Sequence, residues 1–505
     1  MNKIEPLQTH LPNPWWVLAA LTIMMVTLNL DLAVANLALA PIAKDLHIDM
    51  VSVQWIINGC IIASAIAMPI AGRLGDIFGL SRIFLIGAAI FLVASIAAGA
   101  AQNSTSIIGA RIIQGFGIAL SFPMIYALIF RIFPETQRGI ATGIITAGNG
   151  FAQAIGPTVG GILIHLLNWR WVFFINIPLV ISACLILVVN KPAEIKANHS
   201  MNIDKSSMLL LSTGLFILMI TLNKAQYWGL TSIYFLTGFI GSLILLTIFG
   251  WYQTQCKNPL LDMRLFANKR FMLVTFIRML FNSVFFVVLF TMGLMLQNIF
   301  SYSANKAGLI MLFMTVIFGV ISPICGRWID KTGVHIPLSI GMGSLTLACI
   351  LLAGIGFQLT LPVIGVALFL TGITCGIMFP TTSVAALSSV RKEQTGMASG
   401  LFYTAMFISC AVGVAMAGFI LSTVSAAYIN HALINATLTH HELILLNAVA
   451  SGIQSITSIT NTGLQAISYQ AFITAFQHLM QWCLGFALLG FLISLYLHRT
   501  TSYAK

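Results

Sequence analysis

Three charged residues stand inside long apolar runs of this 505-residue chain: Asp31, Arg111 and Arg278. A charge at mid-bilayer costs roughly 2.5–3.5 kcal/mol on insertion scales, so such groups are rare and mark substrate paths or proton relays. The chemistry open to Asp31 is proton exchange, because a low-dielectric site favours a neutral carboxyl and a neighbouring cation favours a charged one. The competing structural reading is a fixed ion pair of Asp31 with Arg111 or Arg278. Arg111 has a third option, snorkelling to the outer membrane rim. Seven polar side chains also interrupt apolar runs: Asn36, Asn58, Gln114, Asn149, Gln153, Asn282 and Tyr403. Each is as well suited to bonding one helix to another as to lining a cavity. Paired catalytic carboxylates, a nucleophile elbow, a phosphate loop and CxxC are all absent, and His440-His441-Glu442 lacks metal-ligand spacing. No catalytic residue, cofactor or metal is expected.

The elements that carry these residues follow from composition. The chain is 59% hydrophobic, and its 36 charged residues make up 7%, against about 25% in soluble domains. Mean hydropathy is +0.98. These values exclude a soluble enzyme, a nucleic-acid-binding protein, a disulfide scaffold and a disordered chain. A transmembrane barrel is disfavoured, since its strands alternate polar and apolar over about 10 residues and this chain runs apolar for about 20 or more. An all-α polytopic membrane protein remains. At about 20 apolar residues per span, fourteen spans are expected. They lie near 15–39, 53–72, 82–101, 105–130, 139–166, 171–189, 207–223, 232–251, 272–297, 306–326, 336–357, 361–388, 395–423 and 471–496. The first is read as an uncleaved helix, because its run exceeds a signal core. With the N-terminus inside, 18 Lys and Arg fall on the inner side. Only Lys44, Arg170, Lys224 and Lys306 fall outside. Cytoplasmic loops carry such an excess, so both termini are expected in the cytoplasm. The net charge of +12 is thus an orientation signal and points to no nucleic-acid partner.

The chain also repeats itself. Gly72-Arg73-Leu74-Gly75-Asp76-Ile77-Phe78-Gly79 matches Gly326-Arg327-Trp328-Ile329-Asp330-Lys331-Thr332-Gly333 at an offset of 254. Phe122-Pro123 matches Phe379-Pro380, and Gly139, Ala141 and Gly143 match Gly396, Ala398 and Gly400, at an offset of 257. Both copies fall on one side of the membrane. This pattern predicts two parallel six-helix halves, residues 1–190 and 271–505. Two inserted spans with linking loops occupy 191–270, and a polar extracytoplasmic loop occupies 424–470.

Four strings carry a family resemblance. The first is the Gly72–Gly79 loop, followed by Arg82. The second is Arg111-Ile112-Ile113-Gln114-Gly115-Phe116-Gly117. The third is Ala152-Gln153-Ala154-Ile155-Gly156-Pro157-Thr158-Val159-Gly160-Gly161, with Ala152 where the pattern has Gly. The fourth is Leu30-Asp31 with Asn36 and Leu39. Together they resemble the fourteen-span drug:proton antiporters of the major facilitator superfamily, the EmrB/QacA type. The resemblance implies a major facilitator fold and proton-coupled export of an amphipathic, cationic drug from the inner membrane by alternating access. It gives Asp31 and Arg111 a part in proton coupling. Gly72, Arg73, Asp76, Gly79, Arg82, Gly326, Arg327, Asp330 and Gly333 would form a conformational latch. Ala152, Gly156, Pro157, Gly160 and Gly161 would form the antiporter motif. A periplasmic adaptor and an outer-membrane channel are the protein partners this family would bring. The alternatives are a dedicated exporter of a siderophore or other metabolite and a proton-coupled nutrient importer; the antiporter motif argues against the importer. Trp169–Pro178 and Pro259–Phe266 also resemble the family and read as interfacial anchors.

Overall fold

The computed structural model describes residues 13–190, 192, 204–256, 259–355, 359–432, 445–446, 448–451, 454–459 and 461–502. Fourteen long helices run through them. They are α1 (Pro14–Asp45), α2 (Trp55–Phe78), α3 (Leu80–Gly99), α4 (Ser104–Ile132), α5 (Arg138–Leu166), α6 (Asn176–Val189) and α7 (Lys205–Trp228). Then follow α8 (Ile233–Gln255), α9 (Lys269–Leu294), α10 (Ala304–Thr332), α11 (His335–Leu352), α12 (Leu361–Leu387), α13 (Thr395–Ala432) and α14 (Thr462–Ser502).

Local chemistry sets the helix starts. Asn13 accepts from the Trp15 amide ahead of Pro14, Asn103 and Ser106 form a capping box, and Asp204, Ser232, Asn268 and Ser303 cap α7 to α10. Helices α2 and α10 end on Gly79 and Gly333, at φ +100° and +81°. Only glycine enters that region cheaply, which is why the repeated motif closes on Gly.

Thirteen helices among the described residues are long and apolar enough to cross a membrane. The fourteenth expected span corresponds to α5. It has 29 residues, which is ample length, but its Gly, Thr, Asn and Gln content makes it less apolar. The ends of the last two spans differ from expectation. Helix α13 continues to Ala432 and α14 starts at Thr462, so helix takes up both ends of the segment expected as a loop over 424–470. Part of that segment is also packed: Leu446, Val449, Ala450 and Ile459 are buried with Ile429 and Ala471. His440, His441, Glu442 and the loop cations Lys3, Lys191, Lys196, Lys257 and Lys505 lie outside the described residues.

Helix α1 packs on α5 and α6, and α4 on α2 and α3. Helix α10 packs on α12, α11 on α12 and α14, and α9 on α13. The two sets meet chiefly along two crossings, α5 with α10 and α2 with α13. Each crossing has a backbone-to-backbone approach, Gly72 on Gly396 and Gly139 on Gly326. A Cβ on any of the four would collide with a carbonyl oxygen or carboxylate of the facing helix. Helices α7 and α8 pair with each other, and α7 lies against α2 and α13.

Candidate functional site

The motif loops form a double clamp. Asp76, near the end of α2, accepts hydrogen bonds from the backbone amides of Gly396 (2.9 Å) and Met397 (2.7 Å) at the start of α13. Asp330, near the end of α10, accepts from Gly139 (2.7 Å) and Ile140 (2.8 Å) at the start of α5. Each carboxylate therefore caps a helix of the other set, where unsatisfied N–H groups and the helix dipole favour an anion. Arg131 pairs with the buried Asp76 at 3.1 Å. Arg73 is half-buried, whereas Arg82 and Arg327 are exposed.

Arg111 lies 20 residues before Arg131 on α4, about 30 Å from it along the helix axis. Its Nη1 donates to Asp31 Oδ2 at 2.6 Å and to Gln114 Oε1 at 2.6 Å, and its Nε donates to the Ile56 carbonyl at 2.8 Å. Asp31 Oδ1 accepts from Gln114 Nε2 (3.0 Å) and Asn176 Nδ2 (2.8 Å), and both amides also reach Ser95 Oγ. Asp31, Arg111, Gln114 and Asn176 are all 0% exposed. Of the pairings left open by the sequence, Asp31 thus takes Arg111, and the guanidinium does not snorkel. Asn176 and Ser95 were missed. Asn176 sits in a string read as an interfacial anchor, and the clue was an amide at the head of an otherwise largely apolar helix.

A cavity of about 860 Å³ opens between the two sets of helices. Asn36, Asn149, Gln153 and Asn282 of the expected residues line it. Asn58, Gln114 and Tyr403 lie elsewhere. Asn58 bonds Asn223 on α7, and Gln114 belongs to the ion-pair network. Tyr403 is buried, bonds Ser383 at 3.0 Å and packs 4.6 Å from Tyr126, which does line the cavity. Toward the clamps the α2–α13 and α5–α10 crossings close the space. At the far end, the lining residues Leu309 and Ile162 are 67% and 52% exposed.

Helix α5 joins the cavity to the ion pair. Gly156 and Gly160 of α5 face α1, where a Cβ would meet Ala33 Cβ and Val34 Cγ1. Pro157, Thr158 and Gly161 line the cavity, and Ala152 is fully buried. Leu28, Asn29, Leu32 and Ala33 of α1 also line it, but Asp31 does not. Among the described residues the wall carries one formal charge, Arg278 on α9. The cationic cargo expected from the sequence therefore meets no carboxylate on this wall.

The model of the Major Facilitator Superfamily matches residues 19–414. The chain is 31% identical to the tetracenomycin C resistance and export protein of Streptomyces glaucescens, over 81% of this chain and 76% of that one. It is 25% identical to the riboflavin transporter RibZ of Clostridioides difficile, over 79% and 87%. Among solved structures it is similar to the human organic anion transporter MFSD10, with a TM-score of 0.59 at 14% identity, covering 94% of this chain and 97% of that one; this likeness speaks to the fold alone. With an all-helical fold built of apolar helices around a central cavity, the chain belongs to the Major Facilitator Superfamily and is a multi-pass membrane transporter of small substrates, not an enzyme.

Proposed function

We propose that the chain is a proton-coupled secondary exporter of amphipathic compounds, drugs among them, working by alternating access. The observation behind this reading is the fully buried Asp31–Arg111 pair. Asp31 lies at the middle of α1, away from both helix ends, and a neutralised carboxyl would release Arg111 and loosen α1 against α4. The small-residue contact of Gly156 and Gly160 with α1 gives substrate in the cavity a mechanical route to that pair. Each proton entering gains roughly 2.3 kcal/mol per 100 mV, which drives the export stroke.

In this reading residues 1–190 and 271–505 are the rocking halves and 191–270 is an insertion. The double clamp faces the cytoplasm with both termini, in the cell's inner membrane. The clamps hold the cytoplasmic gate shut while the cavity faces outward. A periplasmic adaptor and an outer-membrane channel would meet the segment 424–470. A second reading, a dedicated metabolite exporter, draws on the similarity to a riboflavin transporter. Expression in a pump-deficient bacterium separates the two. A multidrug exporter raises tolerance to several unrelated amphipaths, and Asp31→Asn abolishes it. Tolerance unchanged across all of them, with one metabolite retained in a deletion strain, supports the second reading. Normal export by Asp31→Asn removes the coupling role.

A further inference from the structure

The cavity wall pairs an apolar, aromatic surface with a cation that lacks a counter-charge. Arg278 is 1% exposed, and arginine stays protonated in proteins. Its Nη1 donates to Thr382 Oγ1 at 2.8 Å and to the Phe379 carbonyl at 3.2 Å. Its Nη2 has only the Met406 thioether, at 3.3 Å, and its Nε has no partner. No carboxylate among the described residues pairs with it. Nε and Nη2 form the edge of a guanidinium that binds an oxyanion bidentately; here that edge is buried with a weak sulfur acceptor as its one hydrogen-bond partner, so the flexible Met406 side chain has to swing aside to admit a ligand. The guanidinium carbon lies 4.3 Å from the Phe379 ring centroid, a contact that helps hold the group in place. One turn further on, Asn282 also lines the cavity, and its buried Oδ1 is unpartnered.

A buried, unpaired charge is costly, and a protein retains it where a ligand supplies the missing partner. Phe122, Phe285, Phe286 and Phe407 line the same cavity, so the complement to this wall is a flat apolar body bearing an acid. We infer that the cavity takes anionic amphipaths, aromatic or apolar compounds carrying a carboxylate, sulfonate or acidic phenolate, and that the Nε–Nη2 edge of Arg278 binds the anionic head. Cationic compounds of the same shape are repelled. The inference rests on reading this cavity as the transport site. An anion leaving an inside-negative cell also moves down the membrane potential, so such cargo adds to the drive of an exporter.

The test uses the full chain in nanodiscs of zwitterionic lipid and two fluorescent naphthalene probes of one shape, bearing a sulfonate or a trimethylammonium. The sulfonate is expected to bind saturably. Arg278→Gln weakens it about tenfold or more, while Arg278→Lys, which keeps the charge but not the bidentate edge, recovers only part of the affinity. Gln153→Glu, on the opposite wall, weakens the sulfonate and admits the ammonium. Saturable binding of the ammonium by the wild-type chain, or a sulfonate affinity unmoved by Arg278→Gln, overturns the inference. If Arg278→Gln does not fold, an unmoved sulfonate affinity in Gln153→Glu overturns it. Proton uptake by liposomes on adding each probe keeps the two proposals apart. Uptake driven by the ammonium alone supports proton-coupled export and overturns the anion assignment. Sulfonate binding without any coupled proton movement supports the anion assignment and overturns the coupling.

Discussion

Replacing Asp76 by Asn should swing the transporter toward the state in which the clamp end is open. The carboxylate receives two amide bonds, from Gly396 and Met397, and hydrogen bonds to a charged group contribute about 1.5–3 kcal/mol each. Asn retains one acceptor oxygen and turns an NH2 donor toward the second amide, so one bond is lost. The interaction with the N-terminus of α13, about 0.3–1 kcal/mol, is lost too. Arg131, 3.1 Å from Asp76, loses its partner. The total is roughly 2–4 kcal/mol. The cavity cannot open at this end unless α2 leaves α13 and α5 leaves α10, so the closed state alone loses this energy. At about 1.4 kcal/mol per factor of ten, the closed-to-open ratio falls by a factor of roughly 30 to several hundred. Asp330→Asn breaks the symmetry-related clamp, but Asp330 is less buried and has no arginine partner among the described ion pairs, so its shift should be smaller. Genetically encoded spin labels at Thr136 and Glu393, both exposed beside the clamped helix starts, report the opening by pulsed electron resonance. The wild-type chain should give mainly the short distance, Asp330→Asn a mixture and Asp76→Asn mainly the long one. Unchanged distances in Asp76→Asn would refute the reasoning.

Other substitutions probe the remaining contacts. Gly156→Leu and Gly160→Leu drive a side chain into Ala33 or Val34 of α1 and should lower the melting temperature, since overpacking costs about 1–3 kcal/mol. Gly161→Ala meets nothing within 4 Å and should melt like the wild-type chain. Gln114→Ala takes one donor from Asp31 and one acceptor from Arg111. Left-over buried polar groups cost about 1–3 kcal/mol, so it should melt earlier and shift the pH dependence of transport, whereas Asn58→Ala should alter neither by as much.

The sequence was most legible where physics makes a residue rare. A charge in an apolar run is costly, so Asp31, Arg111 and Arg278 stood out without any structure. The repeated motif was legible as a repeat, and its closing glycines as turns. What the repeat concealed was the exchange. Asp76 and Asp330 each cap a helix of the opposite set, and spacing along a chain does not say which helix start faces which carboxylate. Uncharged polar residues were legible as unusual but not as to direction. Gln114 points at Asp31 and Asn149 into the cavity, yet both are amides in small-residue-rich helices. Tyr403 lies behind Tyr126 because the aromatic layer is two rings deep. Which charged group lines the cavity was illegible for a similar reason. Asp31 was the conspicuous carboxylate, but its helix turns it away from the cavity and Arg278 lines the wall instead.

The central claim is that Asp31 carries the coupled proton, and substrate-driven proton movement tests it most directly. The chain would be reconstituted in liposomes with a trapped pH indicator and challenged with a transported substrate. Asp31→Asn alone strands the buried Arg111, at about 3–5 kcal/mol, so the neutral pair Asp31→Asn with Arg111→Gln would be measured beside it. The account predicts proton movement with the wild-type chain and none with either variant, while the neutral pair still exchanges labelled substrate across the membrane. Proton movement at the wild-type rate in the neutral pair would contradict it.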